Sequence, residues 1–276
     1  MRWIAGGLRC FVLWIGLAAV VSTAGAGAGQ VSVSQDADLF GDQQNRGELC
    51  APTATANSFR YLENTSSRYR DDQGENLLTG DNLEAARDDL AEAMGSSTTG
   101  GTNPKGWWEG MVGYMEQKAP DQTRYKGMVD TTFTGGGDPG DWDRGSNIAS
   151  GPPTFAWLFG ELEDDEAVQL GLFKSATEAH AVSLTGLSFE DDDGDGQWDA
   201  GSESAEIGYI DPDNPGEVTE DSLHYNANTG RLEFMYGNTA VCIGLAYSES
   251  PVPLPGTMAL LVMGIAGAGL RVGRQD

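Results

Sequence analysis

Histidine and cysteine are scarce in this 276-residue sequence, which has two His and three Cys. Cys10 lies in a leading apolar stretch, so at most one disulfide, Cys50–Cys242, is open to the rest of the chain. Basic residues are also few, 16 Lys plus Arg against 42 Asp plus Glu, for a net charge of −26. That balance argues against nucleic acid and anionic membrane as partners and favours solubility and cation binding. No G-x4-G-K-[ST] run occurs, so nothing indicates a fused nucleotide-hydrolysing domain. Neither of the two long apolar runs reaches the ~20 residues that a membrane-spanning helix needs.

Those two runs lie at the ends. Residues 1–28 carry Arg2 and Arg9, an apolar run from Cys10 to Val21, and the small-residue stretch Ala24 to Ala28. This is the pattern of a secretory signal peptide cut near Ala26 or Ala28; an uncleaved anchor is the alternative. Residues 252–276 read Val252-Pro253-Leu254-Pro255-Gly256-Thr257, then an apolar run from Met258 to Leu270, then Arg271 and Arg274. The order of Pro motif, apolar helix and basic end resembles a PEP-CTERM sorting tail, with Leu254 where that family has Glu. The resemblance implies an exosortase-type sorting enzyme as partner and transient membrane association through the tail. A plain C-terminal membrane helix is the alternative. Both ends lead to a secreted or cell-surface protein whose middle, residues 30–248, forms one domain.

The central stretch runs from Gln44 to Leu62. Cys50 stands just before Pro52, which suits a first helical turn, and Ala54, Phe59, Tyr61 and Leu62 then share roughly one face. The reading is a helix from about Pro52 to Glu63 with Cys50 at its mouth. A thiol attacks as thiolate, and a helix N-terminus lowers a thiol pKa through its free N–H groups and dipole. Gln44, six residues upstream, offers a side-chain amide that, beside a backbone N–H, makes an oxyanion hole. The structural alternative for Cys50 is a small buried hydrophobe. His180 follows at the start of Ala179-His180-Ala181-Val182, and Asp211 ends Tyr209-Ile210-Asp211-Pro212.

The Q-x5-C-A-P-T run, the N-S-F-R-Y-L that follows, the H-A-V-S-L-T-G strand and the Y-I-D-P turn resemble the double-glycine (bacteriocin-processing) peptidases among the papain-like cysteine peptidases. So does the helix G-T-N-P-K-G-W-W-E-G-M-V-G-Y-M. The resemblance covers about residues 35–245, and Ala51 stands where that family has Gly. It implies a papain-like fold and a thiol hydrolase cleaving peptide bonds in a peptide or protein substrate. Cys50 would be nucleophile, His180 base, Asp211 the acid that orients His180, and Gln44 the oxyanion donor.

Elsewhere the pattern predicts a helix over 82–94 capped by Asp81 and stopped by Gly95. A second is capped by Thr102 or Asn103 with Pro104 in its first turn and runs to about Lys118; another covers 154–162. Trp107 and Trp108 are read as core, with a groove-lining role as the alternative. Gly135 to Ser150 reads as a mobile Gly/Asp rim. Strands are expected at 167–173, around His180 with Val182, Leu184 and Gly186 alternating with Ser183 and Thr185, at 231–234 and at 239–246. His224 falls in a surface hairpin, and Cys242 in an apolar strand. Helices first and strands after make the fold class α+β, with N-terminal helices packed on an antiparallel β-sheet.

Between the His180 and Asp211 strands lies Asp191-Asp192-Asp193-Gly194-Asp195-Gly196-Gln197-Trp198-Asp199. Taking Asp191 as position 1, carboxylates fall at 1, 3, 5 and 9, Gly196 at 6, and Gln197 offers a backbone carbonyl. Ser202 occupies position 12 and Glu203 follows one residue late. The run resembles the Asp-rich loops of dockerin-type secreted modules and predicts a structural calcium site over 191–203, formed by Asp191, Asp193, Asp195, Gln197, Asp199 and Glu203. Calcium would then hold the hairpin that carries His180 and Asp211. A solvated acidic turn is the plain alternative. The rival to a hydrolase is a catalytically silent, calcium-binding extracellular matrix or binding protein on the same scaffold.

Overall fold

The computed structural model describes residues 29–135 and 137–253. The expected signal segment 1–28 and nearly all of the expected sorting tail 252–276 lie outside them. Among the described residues no helix is long and apolar enough to cross a membrane.

The chain starts with β1 (Gly29–Ser34). Three helices follow, α1 (Cys50–Thr65), α2 (Leu83–Ala93) and α3 (Pro104–Lys118). Then come β2 (Thr123–Val129), the short β3 (Ile148–Ser150) and α4 (Phe155–Glu163). Six strands complete the fold: β4 (Ala167–Phe173), β5 (Ala179–Asp191), β6 (Ala205–Ile210), β7 (Val218–Asn226), β8 (Arg231–Tyr236) and β9 (Thr239–Pro251). Helix order and strand order give a mixed α+β fold.

The helix starts follow from local chemistry. Asn82, Asn103 and Thr154 each accept a backbone N–H of their own first turn, a cap that contributes about 1 kcal/mol. Asn82, not Asp81, is thus the cap of α2, because its side chain is the one that reaches the Ala85 N–H at 3.1 Å. Gly95, at φ +63°, ends the helix in a conformation that glycine adopts freely.

All strand pairs are antiparallel except β2 with β3. The order runs β1-β5-β6-β7-β8-β9-β2-β3, and β4 pairs with both β5 and β9. Strands β4 to β9 therefore close into a ring, which removes the free edges that an open sheet of this size exposes. Inside the ring lie Leu170, Leu172, Leu184, Ile207, Tyr209, Phe234 and Ile243, with Phe155, Leu158 and Leu162 of α4 packed against them. Outside it, α1 and α3 press a second core of Phe59, Leu62, Trp107, Trp108 and Tyr247 against β4, β9 and β2.

This arrangement changes several expectations. Residues 181 to 185 of β5 are all buried, with no in-out alternation, because α1 covers one face and the ring interior the other. The stretch 135–150 docks on the helices: Trp142 and Ile148 are buried, Trp108 Nε1 donates to the Asp143 carbonyl at 2.7 Å, and β3 pairs with β2. Strand β2 was not expected from the sequence, although Thr123, Tyr125, Gly127 and Val129 turn inward in alternation.

Candidate active site

Helix α1 begins at Cys50, two residues earlier than the Pro52 start read from the sequence. Leu49 precedes it as N-cap and supplies no side-chain acceptor, and no acidic residue stands in the first turn. The leading N–H groups of Cys50 and Ala51 are thus left uncapped by any side chain at the positive end of a 16-residue helix. Cys50 is half-buried and its thiol is free; so is that of Cys242, and no disulfide joins them.

His180 stands at the start of β5, and Asp211 follows the end of β6. The antiparallel pairing of these strands sets Ser183 opposite Ile210, bringing the two polar residues together just beyond the last paired residues. His180 Nε2 and Asp211 Oδ1 are 2.8 Å apart. Asp211 Oδ1 also accepts the Asp213 N–H at 2.8 Å, and Oδ2 accepts the Tyr236 hydroxyl at 2.5 Å. Nε2 is engaged by the carboxylate, and the Cys50 sulfur lies close enough to the imidazole to act on its charge, the two residues lining one cavity.

The electrostatics follow from these contacts. Burial disfavours a charged His180, but the Asp211 carboxylate and then the Cys50 sulfur outweigh it and push the imidazole up to about 10. Burial would likewise raise Asp211, yet the bonds from His180, Tyr236 and the Asp213 N–H hold its carboxyl below the ordinary value. The arrangement favours an imidazolium facing the sulfur, the state in which a Cys–His pair is nucleophilic. Burial raises the Cys242 thiol, which points at the Phe173 carbonyl at 3.5 Å and stays protonated.

A cavity of about 120 Å³ opens beside Cys50 and His180, walled by Gly101, Trp107, Gly171 and Phe173. Trp107 both packs in the core and lines this space, its Nε1 held by Thr55 Oγ1 at 2.9 Å. Gln44 is placed differently. It is exposed on the loop before α1, Arg87 donates to its carbonyl at 3.4 Å, and it is not among the cavity's lining residues. The residue beside it ties that loop to the turn after β6: Asn45 N–H donates to the Pro212 carbonyl at 2.7 Å and Asn45 Nδ2 to Asp213 at 2.9 Å. Asn45, Asp213 and Tyr236 were not singled out from the sequence. The contacts of Asn45 and Tyr236 are long-range and leave no local spacing signal, whereas Asp213 meets Asp211 two residues away in the same turn. His224 lies on the β7–β8 hairpin, as expected.

The Asp-rich loop is the tip of the β5–β6 hairpin. Asp191 is buried and accepts the N–H groups of Gly194 and Gly196, at 2.7 and 3.0 Å. Carboxylate oxygens of Asp191, Asp193 and Asp195 lie within 4.8 Å of one another, and Gly196 has φ +76°, the sharp turn expected at its position. This all-oxygen donor set fits a hard divalent cation. Gln197 and Asp199 are exposed on the same loop. Glu203 accepts the Asp192 and Asp199 N–H groups, one on each oxygen, and so closes the base of the loop. His180 and Asp211 sit at the opposite end of the hairpin, on the order of 35 Å away along β5 at about 3.3 Å per residue.

No protein-family model matches this chain, and no curated protein matches its sequence.

Proposed function

We propose that the chain is a thiol hydrolase, a cysteine peptidase acting on peptide or protein substrates, on a papain-like scaffold of helices and antiparallel strands. The observation that carries the reading is the 2.8 Å bond from His180 to Asp211 with Cys50, at an uncapped helix N-terminus, lining the same cavity as His180. In this mechanism the Cys50 thiolate attacks the scissile carbonyl carbon. The oxyanion that forms is met by the free N–H groups at the start of α1. His180 gives its Nδ1 proton to the leaving amine, and the acyl–sulfur bond is then cleaved by a water that His180 deprotonates. Asp211 holds the ring and its charge throughout. The resemblance of the two chain ends to sorting signals supports a secreted or surface-held enzyme, with an exosortase-type partner for the tail. The donor set of the 191–203 loop supports a structural calcium ion distant from the chemistry.

The test uses the full chain with Cys242→Ser, so that Cys50 is the reactive thiol followed. Iodoacetamide alkylation at about pH 6 should be fast and should fall to the rate of an ordinary thiol in His180→Ala, and a mixed peptide library should be cleaved only by the variant that keeps His180. Slow alkylation that is indifferent to His180 would overturn the reading and leave a binding protein on this scaffold.

A further inference from the structure

Tyr236 has no part in the mechanism above, yet its hydroxyl donates to Asp211 Oδ2 at 2.5 Å. Its ring lies against the His180 imidazole, with centroids 5.1 Å apart and planes tilted by 35°. The other Asp211 oxygen is taken by His180 and by the Asp213 N–H. Both ends of the carboxylate are therefore held by donors, and Tyr236 is the side chain that holds the end facing away from His180. The residue is half-buried at the end of β8, where the chain turns at Gly237 into β9. A phenylalanine ring would fill that place equally well, so the hydroxyl is the part that packing does not explain.

We infer that Tyr236 is a positioning residue for the triad: its phenol fixes the Asp211 carboxylate so that Oδ1 faces His180, and its ring covers the His180–Asp211 bond. The inference rests on the thiol-hydrolase reading of this site. The titratable groups that face Tyr236 are Asp211 and Asp213 from the loop after β6, Tyr209 from β6 and His180 from β5. Burial, and then the Asp211 charge, push the phenol well above its usual range, so it remains a donor across any working pH. Removing the hydroxyl has two effects on Asp211. The carboxylate loses a charge-stabilising donor, and it is freed to rotate. Both weaken the hold on the charged imidazole, and both should move the acid limb of Cys50 alkylation to higher pH.

The experiment is the pH–rate profile of Cys50 alkylation by iodoacetamide in the full chain carrying Cys242→Ser, compared with the same chain bearing Tyr236→Phe, Asp211→Asn or both. Circular dichroism confirms that each variant is folded. In Tyr236→Phe the acid limb should shift upward and the rate at about pH 5 should fall about tenfold, the size expected for one hydrogen bond to a charged group. In the Asp211→Asn background the same substitution should change nothing further. A Tyr236→Phe profile that superimposes on its parent would overturn the inference while leaving the triad intact. So would an effect of equal size in the Asp211→Asn background, since Tyr236 would then act by another route. A parent protein with no fast, His180-dependent alkylation would instead remove the hydrolase reading, and the inference with it.

Discussion

Gln169 Nε2 donates to Glu249 Oε2 at 2.9 Å, and both side chains are fully buried. Through Oε1 the same Gln169 accepts from Thr55 and Trp107, so one amide joins β9, β4, α1 and α3. Trp107 in turn walls the cavity beside Cys50. Gln169→Ala leaves three buried polar groups short of a partner and should lower stability by about 3 kcal/mol or more, measured by urea unfolding. A loss under 1 kcal/mol would show that the network is slack.

Glu249 makes the fold sensitive to alkali. Burial, and then the nearby Glu166, hold its carboxyl well above the ordinary value, so the folded state keeps a proton that the unfolded state gives up. The folded-state pKa is the raised one. The stabilisation is therefore complete below the unfolded value near 4.5 and is lost as pH rises toward the folded value. The melting temperature should fall from mildly acidic to alkaline pH, and Glu249→Gln, which copies the neutral form, should flatten that slope. A wild-type melting temperature that rises over the same range would contradict the assignment.

Asp211→Asn should leave the fold in place but remove the negative partner of His180. Alkylation of Cys50 at about pH 6 should then drop by on the order of 10²-fold. The linked effect on stability has a defined sign. His180 is raised from 6.5 to about 10 in the folded chain, so its contribution is full below pH 6.5 and lost between 6.5 and 10. That alkaline loss should be absent in His180→Ala, which differential scanning calorimetry across this window would read.

Calcium should raise the melting temperature by mass action on the folded state and leave the hydrolysis rate unchanged at temperatures where the chain is folded. The Asp-rich tip and the His180–Asp211 pair occupy opposite ends of the β5–β6 hairpin, so an ion at the tip touches none of the proposed reacting groups. A double Asp193→Ala, Asp195→Ala variant should lose the calcium-dependent increment. A hydrolysis rate that follows calcium at constant fold would place the ion in the chemistry, against this expectation.

Cys242→Ser should be nearly silent. Its thiol is raised by burial and is bonded weakly to the Phe173 carbonyl, so it should react slowly at about pH 6 while Cys50 reacts fast. Peptide mapping after brief alkylation would show label on Cys50 alone; equal labelling of both would mean that Cys50 is not activated.

Much of the local structure was legible in the residues. Asn103 with Pro104 marks the start of α3, Thr154 that of α4, and the Asn228-Thr229-Gly230 turn joins β7 to β8, because caps and turns are written within a few positions. Cys50, His180 and Asp211 were picked out together through the resemblance, and the structure sets His180 against Asp211 and lets Cys50 and His180 line one cavity. What was hidden is non-local. Nothing in Ala167–Phe173 states that this strand bonds both β5 and β9, and so nothing announced that β5 would be buried on both faces. Tyr236 reaches Asp211 across the sheet from β8 to the end of β6, 25 residues away in sequence, and the loop that carries Gln44 is tied down through Asn45. Strand β2 was overlooked because its outward Arg124, Lys126 and Met128 mask a regular inward row.

The ring has one more consequence. His180 and Asp211 belong to the closed strands, whereas Cys50 belongs to the helical layer laid on their outside. The proposed nucleophile and its proposed base are therefore parted by a docking surface within one chain. A newly made chain in which only the ring has formed holds a histidine with no thiol to charge, and one in which only the helices have formed holds an ordinary cysteine. On the thiol-hydrolase reading, reactivity would arise only when the two layers meet, and a chain not yet folded would carry an ordinary thiol.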